Sequence, residues 1–158
     1  MKNWDKFYLN IAAEFANQST CVKRKVGAIL VKDLRIQSTG YNGTPSGTCN
    51  CNEVFQNDLT AGVLRKGFKW IKITHHDFAE KFEIHAEQNC LAFAAKSGVI
   101  TKDCTMYVTT APCVHCAKLI IASGIKNVVY MSEYKNSDGL NLLKEAKIGV
   151  RQSKHPMI

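Results

Sequence analysis

Three ligand-type residues place the tightest constraint on how this chain can fold: His85, Cys113 and Cys116. His85 begins a run of helical character that reaches about Ser97 and is stopped by Gly98. Pro112 opens a second helical run that carries both cysteines through to Ser123, closed by Gly124. Between the two, Thr105 to Thr109 reads as a strand. For these side chains to grip one ion, two helix starts separated by a strand must meet at a point. A histidine and two cysteines form a three-donor set that leaves the fourth tetrahedral position to water, as catalytic zinc requires, whereas closed structural sites use four protein donors. Helix starts also suit thiolates, because unpaired backbone N–H groups and the positive end of the helix favour negative charge.

The rest of the chain supplies a frame. Trp4, Phe7, Tyr8, Ile11 and Phe15 recur at three- and four-residue steps and predict an opening helix ending near Ser19. Val26 to Val31 and Arg35 to Tyr41, joined at Lys32-Asp33, read as a hairpin. Gly40, Asn42, Gly43, Pro45 and Gly47 then make a loop. From Cys49 to Phe82 no period is visible, which predicts an irregular insertion carrying at most a short helix. A strand at Asn127 to Met131, a helix at Gly139 to Lys147 capped by Asp138, and a short strand near Val150 complete the order. Strands alternating with helices after a hairpin predict an α/β sandwich with a mixed central sheet. The 158 residues, 46% of them hydrophobic, suit one domain spanning 1–158. No apolar run has the length of a membrane span, and Met1 to Phe7 does not lead into a greasy segment, so the expectation is a soluble, unexported, cytoplasmic protein.

Seven cysteines, an odd number, with two in a C-x-x-C pair, favour metal ligation over a disulfide framework. The net charge of +8 favours anionic partners, from nucleotide phosphates to nucleic acid. Lys23-Arg24-Lys25 is the one basic run, and the remaining cations are scattered.

Glu87 follows the ligand histidine by two residues. On an ideal helix that turns it about 200° away from His85, so it can approach a metal-bound water only if the helix starts at His85 with its first turn facing the pocket. If so, zinc lowers the pKa of that water and Glu87 carries its proton. The alternatives are a structural zinc knuckle completed by Cys90 or Cys104, and a redox C-x-x-C. His115, inside the pair, reads as an exposed helix residue.

H-x-E paired with P-C-x-x-C is a known signature of zinc nucleobase deaminases, and the chain resembles the deoxycytidylate (dCMP) deaminase family of the cytidine deaminase superfamily. The similarity runs through Val26-Gly27-Ala28-Ile29, Gly40-Tyr41-Asn42-Gly43-Thr44-Pro45-Ser46-Gly47, Glu83-Ile84-His85-Ala86-Glu87-Gln88-Asn89, Met106-Tyr107-Val108-Thr109, Ala111-Pro112-Cys113, Ala117-Lys118-Leu119-Ile120 and Ser123-Gly124-Ile125-Lys126. It covers most of the chain outside the insertion at about 52–73. The resemblance implies a three-layer α-β-α fold with a mixed five-stranded sheet. It also implies zinc-dependent conversion of dCMP to dUMP, which supplies thymidylate synthesis, with His85, Cys113 and Cys116 on the metal and Glu87 moving protons. By the same resemblance Asn42 touches the sugar, Lys25 and Tyr134 contact phosphate, and Gly40, Tyr41, Asn42 and Gly43 accommodate a nucleotide effector. Six-membered assemblies with Phe93 at a contact, activation by dCTP, inhibition by dTTP and magnesium on the triphosphate are implied likewise. Ala111 departs from the family, where serine is common.

Cys21, Cys51, His75 and Glu83 match positions that hold an additional zinc in some phage members of the family. Such a metal would pin the unpatterned insertion to the helix before His85. His76 or Cys49 could replace a named ligand, and a buried thiol with surface histidines is the plain alternative. Competing functions are a deaminase acting on tRNA or single-stranded DNA, to which Phe68 and Trp70 among Lys66, Lys69 and Lys72 would contribute stacking surfaces, and a non-catalytic zinc module that binds nucleotide or RNA.

Overall fold

The computed structural model describes residues 3–56, 58, 61–66 and 69–154; Phe68 lies outside them. Helix α1 (Trp4–Ala16) is capped by Asn3, whose side chain accepts the Lys6 N–H at 3.1 Å. It is followed by β1 (Gly27–Lys32) and β2 (Arg35–Tyr41), an antiparallel hairpin. Both hairpin turn residues, Asp33 and Leu34, have positive φ, the turn geometry that matches strand twist. The turn therefore sits one residue later than Lys32-Asp33. After α2 (Cys51–Val54), β3 (Ala61–Lys66), β4 (Lys69–Thr74) and α3 (His75–Phe82) come α4 (Ala86–Lys96), β5 (Thr105–Thr110), α5 (Val114–Ala122), β6 (Asn127–Ser132), α6 (Asp138–Glu145) and β7 (Gly149–Gln152). Asp138 is the first residue of α6, and Ser137 occupies the cap position expected for Asp138.

The main sheet has the order β2-β1-β5-β6-β7, antiparallel from β2 to β5 and parallel from β5 to β7. It is the mixed five-stranded sheet that the resemblance implies. Alternation along the strands assigns the two faces. Ile29, Val31, Tyr107 and Val129 pack under α1 with Tyr8, Leu9 and Ala12. Ala28, Leu30, Met106, Val108 and Val128 pack under α4, α5 and α6 with Cys90, Ala94, Ile120 and Leu143. The result is an α-β-α sandwich. Two glycines set how closely the layers meet: a methyl at Gly27 would fall on the Ala12 carbonyl of α1, and one at Gly40 on the Ala86 carbonyl and Cys90 amide of α4. Helices thus press on the β1–β2 hairpin from both sides, and the start of α4 is seated against β2.

Contrary to expectation, the stretch from Cys49 to Phe82 is not irregular. It holds a four-residue helix, an antiparallel hairpin and an eight-residue helix. These close on a small core of their own, in which Phe55 and Phe78 are each 1% exposed. No period was visible because the hairpin buries little: along β4 only Ile73 is buried, so period-2 burial never develops.

At the opposite end, Asp5 of α1 ties the last strand to the first helix. Arg151 donates to both Asp5 oxygens at 2.6 and 2.8 Å, and the Tyr107 hydroxyl donates to Oδ1 at 3.0 Å. The Arg151 hydrogen bond holds the Asp5 carboxyl below its ordinary value, against partial burial. A depressed folded pKa adds stability that is present above the unfolded value of about 3.9 and lost as pH falls through the folded one. With the Arg151 side chain half exposed, the pair is worth about 1 kcal/mol or less. Asp5→Asn is expected to melt a few degrees lower than wild type at pH 7, the gap closing below pH 4. Melting curves from pH 7 to 3 test this, and a gap that persists unchanged at pH 3 would contradict it.

Candidate metal centres and active-site cleft

His85 is the extended residue before α4 (φ −71°, ψ 157°), and its N–H donates to the Gln88 side chain at 2.8 Å. The helix therefore begins one residue later than the sequence suggested, and this removes the angular difficulty with Glu87. With His85 outside the helical rotation, Glu87 becomes the second helical residue, buried at 4% exposure and lining the same cleft as His85. Cys113 is likewise the extended residue before α5, and Cys116 is the third residue of that helix. Ala111, leading in from β5, donates its N–H to the Ser132 carbonyl at 2.8 Å, which carries the β5–β6 pairing up to Pro112. Two helix N-termini thus meet beside the end of β5.

His85 Nδ1 stands 3.5 Å from Cys113 Sγ and 3.4 Å from Cys116 Sγ. Zinc bound tetrahedrally to nitrogen and sulfur at ordinary lengths sets N···S edges of about 3.5–3.6 Å, so the three atoms occupy corners of a zinc-sized tetrahedron. Cys90 and Cys104, the candidate fourth ligands, are buried elsewhere: Cys90 in the core under α4, Cys104 with its thiol on the Ile100 carbonyl at 3.6 Å. Among the described residues no fourth His, Cys or carboxylate joins this set. His115 is exposed. The hydrogen bond with Cys116, aided by the imidazole, holds the Cys113 thiol down to about 3 against burial, a thiolate ready for metal. Burial pushes the Glu87 carboxyl up, with the imidazole partly opposing, which suits a group that has to pick up a proton and give it away.

A second cluster gathers Cys21, Cys51, His75 and Glu83, with all ligand atoms within 4.8 Å of one another and Cys21 Sγ 3.4 Å from His75 Nε2. His75 opens α3 and Glu83 follows its end, while Cys51 opens α2. Two sulfurs, a nitrogen and a carboxylate oxygen make four donors, the closed number. The Glu83 Oε1 atom is buried without a hydrogen-bond partner, a costly state that a cation would relieve. Burial pushes the Cys51 thiol up to about 12. Cys49 and His76, the alternatives, are exposed and outside the cluster.

Both clusters border one cleft of about 180 Å³, whose wall includes Glu87, Asn42, Thr110, Tyr134, Lys23 and Arg24. Lys25, expected as a phosphate contact, is exposed and not among the lining residues, whereas its two neighbours are. Asn42 is buried, and its amide is engaged with the backbone of Arg24 and Val26. Gly43 exchanges backbone hydrogen bonds with Ile84, the residue before His85, at 3.1 and 2.9 Å. Beyond Gly40, the loop from Tyr41 to Thr48 borders a separate pocket of about 360 Å³ shared with Asn89 and Phe93. Trp70 is 68% exposed and lies outside the cleft lining. Thr110 carried no signal in the sequence beyond its place at the end of a strand.

A three-donor zinc site beside a buried carboxylate, built on two helix starts of an α-β-α sandwich, defines a zinc hydrolase of the deaminase class. Residues 2–132 match the cytidine and deoxycytidylate deaminase zinc-binding region, and the chain belongs to that family. The deoxycytidylate deaminase of Enterobacteria phage T2 is 38% identical over 90% of this chain and 88% of its own length. That of Mycobacterium phage D29 is 37% identical over 83% and 96%. The crystal structure of the dCMP deaminase of cyanophage S-TIM5, in complex with dCMP and dUMP, aligns with a TM-score of 0.78 at 34% identity, covering 97% of this chain and 99% of that one. No helix among the described residues is long and apolar enough to cross a membrane.

Proposed function

We propose that this protein deaminates dCMP hydrolytically to dUMP, water supplying the new ring oxygen and ammonia leaving. The observation that carries this reading is the three-donor cluster of His85, Cys113 and Cys116 with buried Glu87 beside it, in a cleft whose wall is cationic. Zinc held there supplies Lewis acidity that brings the pKa of a water toward neutrality. Glu87 takes the proton from that water, passes it to the pyrimidine ring nitrogen and then protonates the departing amine. Its burial keeps bulk water from competing for the proton. Thr110 and Ala111 border the base end of the cleft, and Tyr134 stands on its wall.

The reading extends to the second cluster, where Cys21, Cys51, His75 and Glu83 hold a structural zinc; the orphaned Glu83 oxygen supports it. It places a nucleoside triphosphate effector with magnesium, dCTP or dTTP, against the loop from Gly40 to Gly47, supported by the pocket there and by a buried Thr44 hydroxyl without a partner. It includes a homo-oligomer, hexameric in the family's manner, for which half-exposed Phe93 and Leu119 offer apolar surface. A reducing compartment such as the cytoplasm, or a host's cytoplasm, fits seven free cysteines.

Ammonia release from dCMP, dCTP, deoxycytidine, a cytosine-containing oligonucleotide and a tRNA is the test. The monophosphate is expected to give the highest kcat/KM. Turnover confined to a polymer would replace this reading with that of a nucleic-acid deaminase.

A further inference from the structure

We infer that Lys23 and Arg24 are the handle for the 5′-phosphate of the substrate, and that Asn42 is a positioning residue that holds the backbone presenting them. This inference rests on the dCMP reading and names the residues that make it selective for a phosphorylated substrate.

A phosphate monoester carries nearly two negative charges at neutral pH, and the cleft must answer them. Among the residues that line it, Lys23 and Arg24 are the lysine and arginine. Both are exposed, and neither forms an ion pair within the described chain, so their charges are free for a ligand. Lys25 follows directly but stands outside the lining, as adjacent side chains on an extended segment turn to opposite sides.

The stretch from Asn17 to Val26 has no helix or strand of its own, so something else must fix the direction in which these cations point. Asn42 does so on several sides. Its Oδ1 accepts the Val26 N–H at 2.8 Å, and its Nδ2 donates to the Arg24 carbonyl at 2.9 Å. Its backbone N–H donates to the Val26 carbonyl at 3.1 Å, and its carbonyl accepts the Ser19 hydroxyl at 2.7 Å. Ser19 in turn accepts the Cys21 N–H at 3.2 Å. The two side-chain bonds flank Lys25 and fix the peptide on each side of it, which leaves Lys23 and Arg24 on the cleft side. An amide spent at both ends on backbone does not supply the sugar contact expected of Asn42.

The test compares dCMP with deoxycytidine, which differ by the phosphate alone. In a Lys23→Ala/Arg24→Ala variant, kcat/KM for dCMP is expected to fall about 100-fold, mostly through KM, with deoxycytidine changed by less than about 3-fold. Lys25→Ala should leave both within about 3-fold. Asn42→Ala should cost dCMP about 10-fold and deoxycytidine little, and its effect should vanish in the Lys23→Ala/Arg24→Ala background, since coupled residues are not additive. Equal losses on nucleoside and nucleotide in Asn42→Ala would make Asn42 a sugar or base contact and overturn the positioning role. A preference for dCMP that survives in the double variant, or one that Lys25→Ala abolishes, would overturn the phosphate handle while leaving the dCMP reading intact. A wild-type enzyme that ignores dCMP would overturn both. The two cations are exposed, so their variants remain informative even if Asn42→Ala does not fold.

Discussion

Glu87→Gln is expected to retain wild-type zinc content and melting temperature while kcat for dCMP falls by about 1,000-fold, within the range usual for loss of a general acid/base. The substitution keeps the volume of a side chain only 4% exposed, so neither a cavity nor a clash accompanies it. It replaces a carboxyl that can ionise with an amide that cannot, and the reaction needs a proton taken from water and delivered twice. His85, Cys113 and Cys116 stay in place because their positions come from the starts of α4 and α5. Zinc quantification, a thermal melt and single-turnover kinetics separate the two roles. Activity within 10-fold of wild type would show that another group carries the proton. Loss of zinc together with activity would make Glu87 a support for the metal instead.

What could be read before folding divides along physical lines. Both faces of the main sheet were legible because alternation along β1, β5 and β6 is strict, each strand lying between α1 and the helices of the other layer. The metal donors were legible because a three-donor set at helix starts is a chemical demand that few folds meet. The approach of Glu87 was not: whether His85 lies inside or outside the helix is a one-residue question, and its backbone angles decide it. The hairpin of β3 and β4 escaped because its stability comes from Phe55 and Phe78 beneath it, not from a buried face of its own. Lys23, Arg24 and Lys25 are indistinguishable as charges. Only hydrogen bonds from a residue sixteen or more positions away determine which of them face the cleft. The second cluster was suggested by resemblance alone, since its donors come from separate segments whose meeting depends on the part of the chain without a visible pattern.

That second cluster leads to the other large expected effect, in Cys51→Ala. Wild-type protein should carry two zinc ions per chain and the variant one, with a melting temperature lower by about 10 °C or more. At this size a loss of 1 kcal/mol lowers the melting point by about 2–4 °C, and removing one of four donors from a structural zinc costs several times that, because binding free energy there is folding free energy. The four donors come from the segment before β1, the start of α2 and both ends of α3, so the ion cross-links the small α2–β3–β4–α3 unit to the main sandwich. Glu83 is two residues before His85, and the Gly43–Ile84 pairing lies between them. Cys21 is likewise two residues before Lys23. Loss of the ion should therefore reach the cleft as well, raising KM for dCMP while the first zinc remains. Cys90→Ala is the control: it also removes a fully buried thiol from a hydrophobic core, yet should keep two zinc ions, so that a cavity alone cannot account for the change in metal content. One zinc per chain in wild type, unchanged in Cys51→Ala, would show that the four side chains are packing partners without an ion, and would leave the unpaired Glu83 oxygen to be explained by a protonated carboxyl.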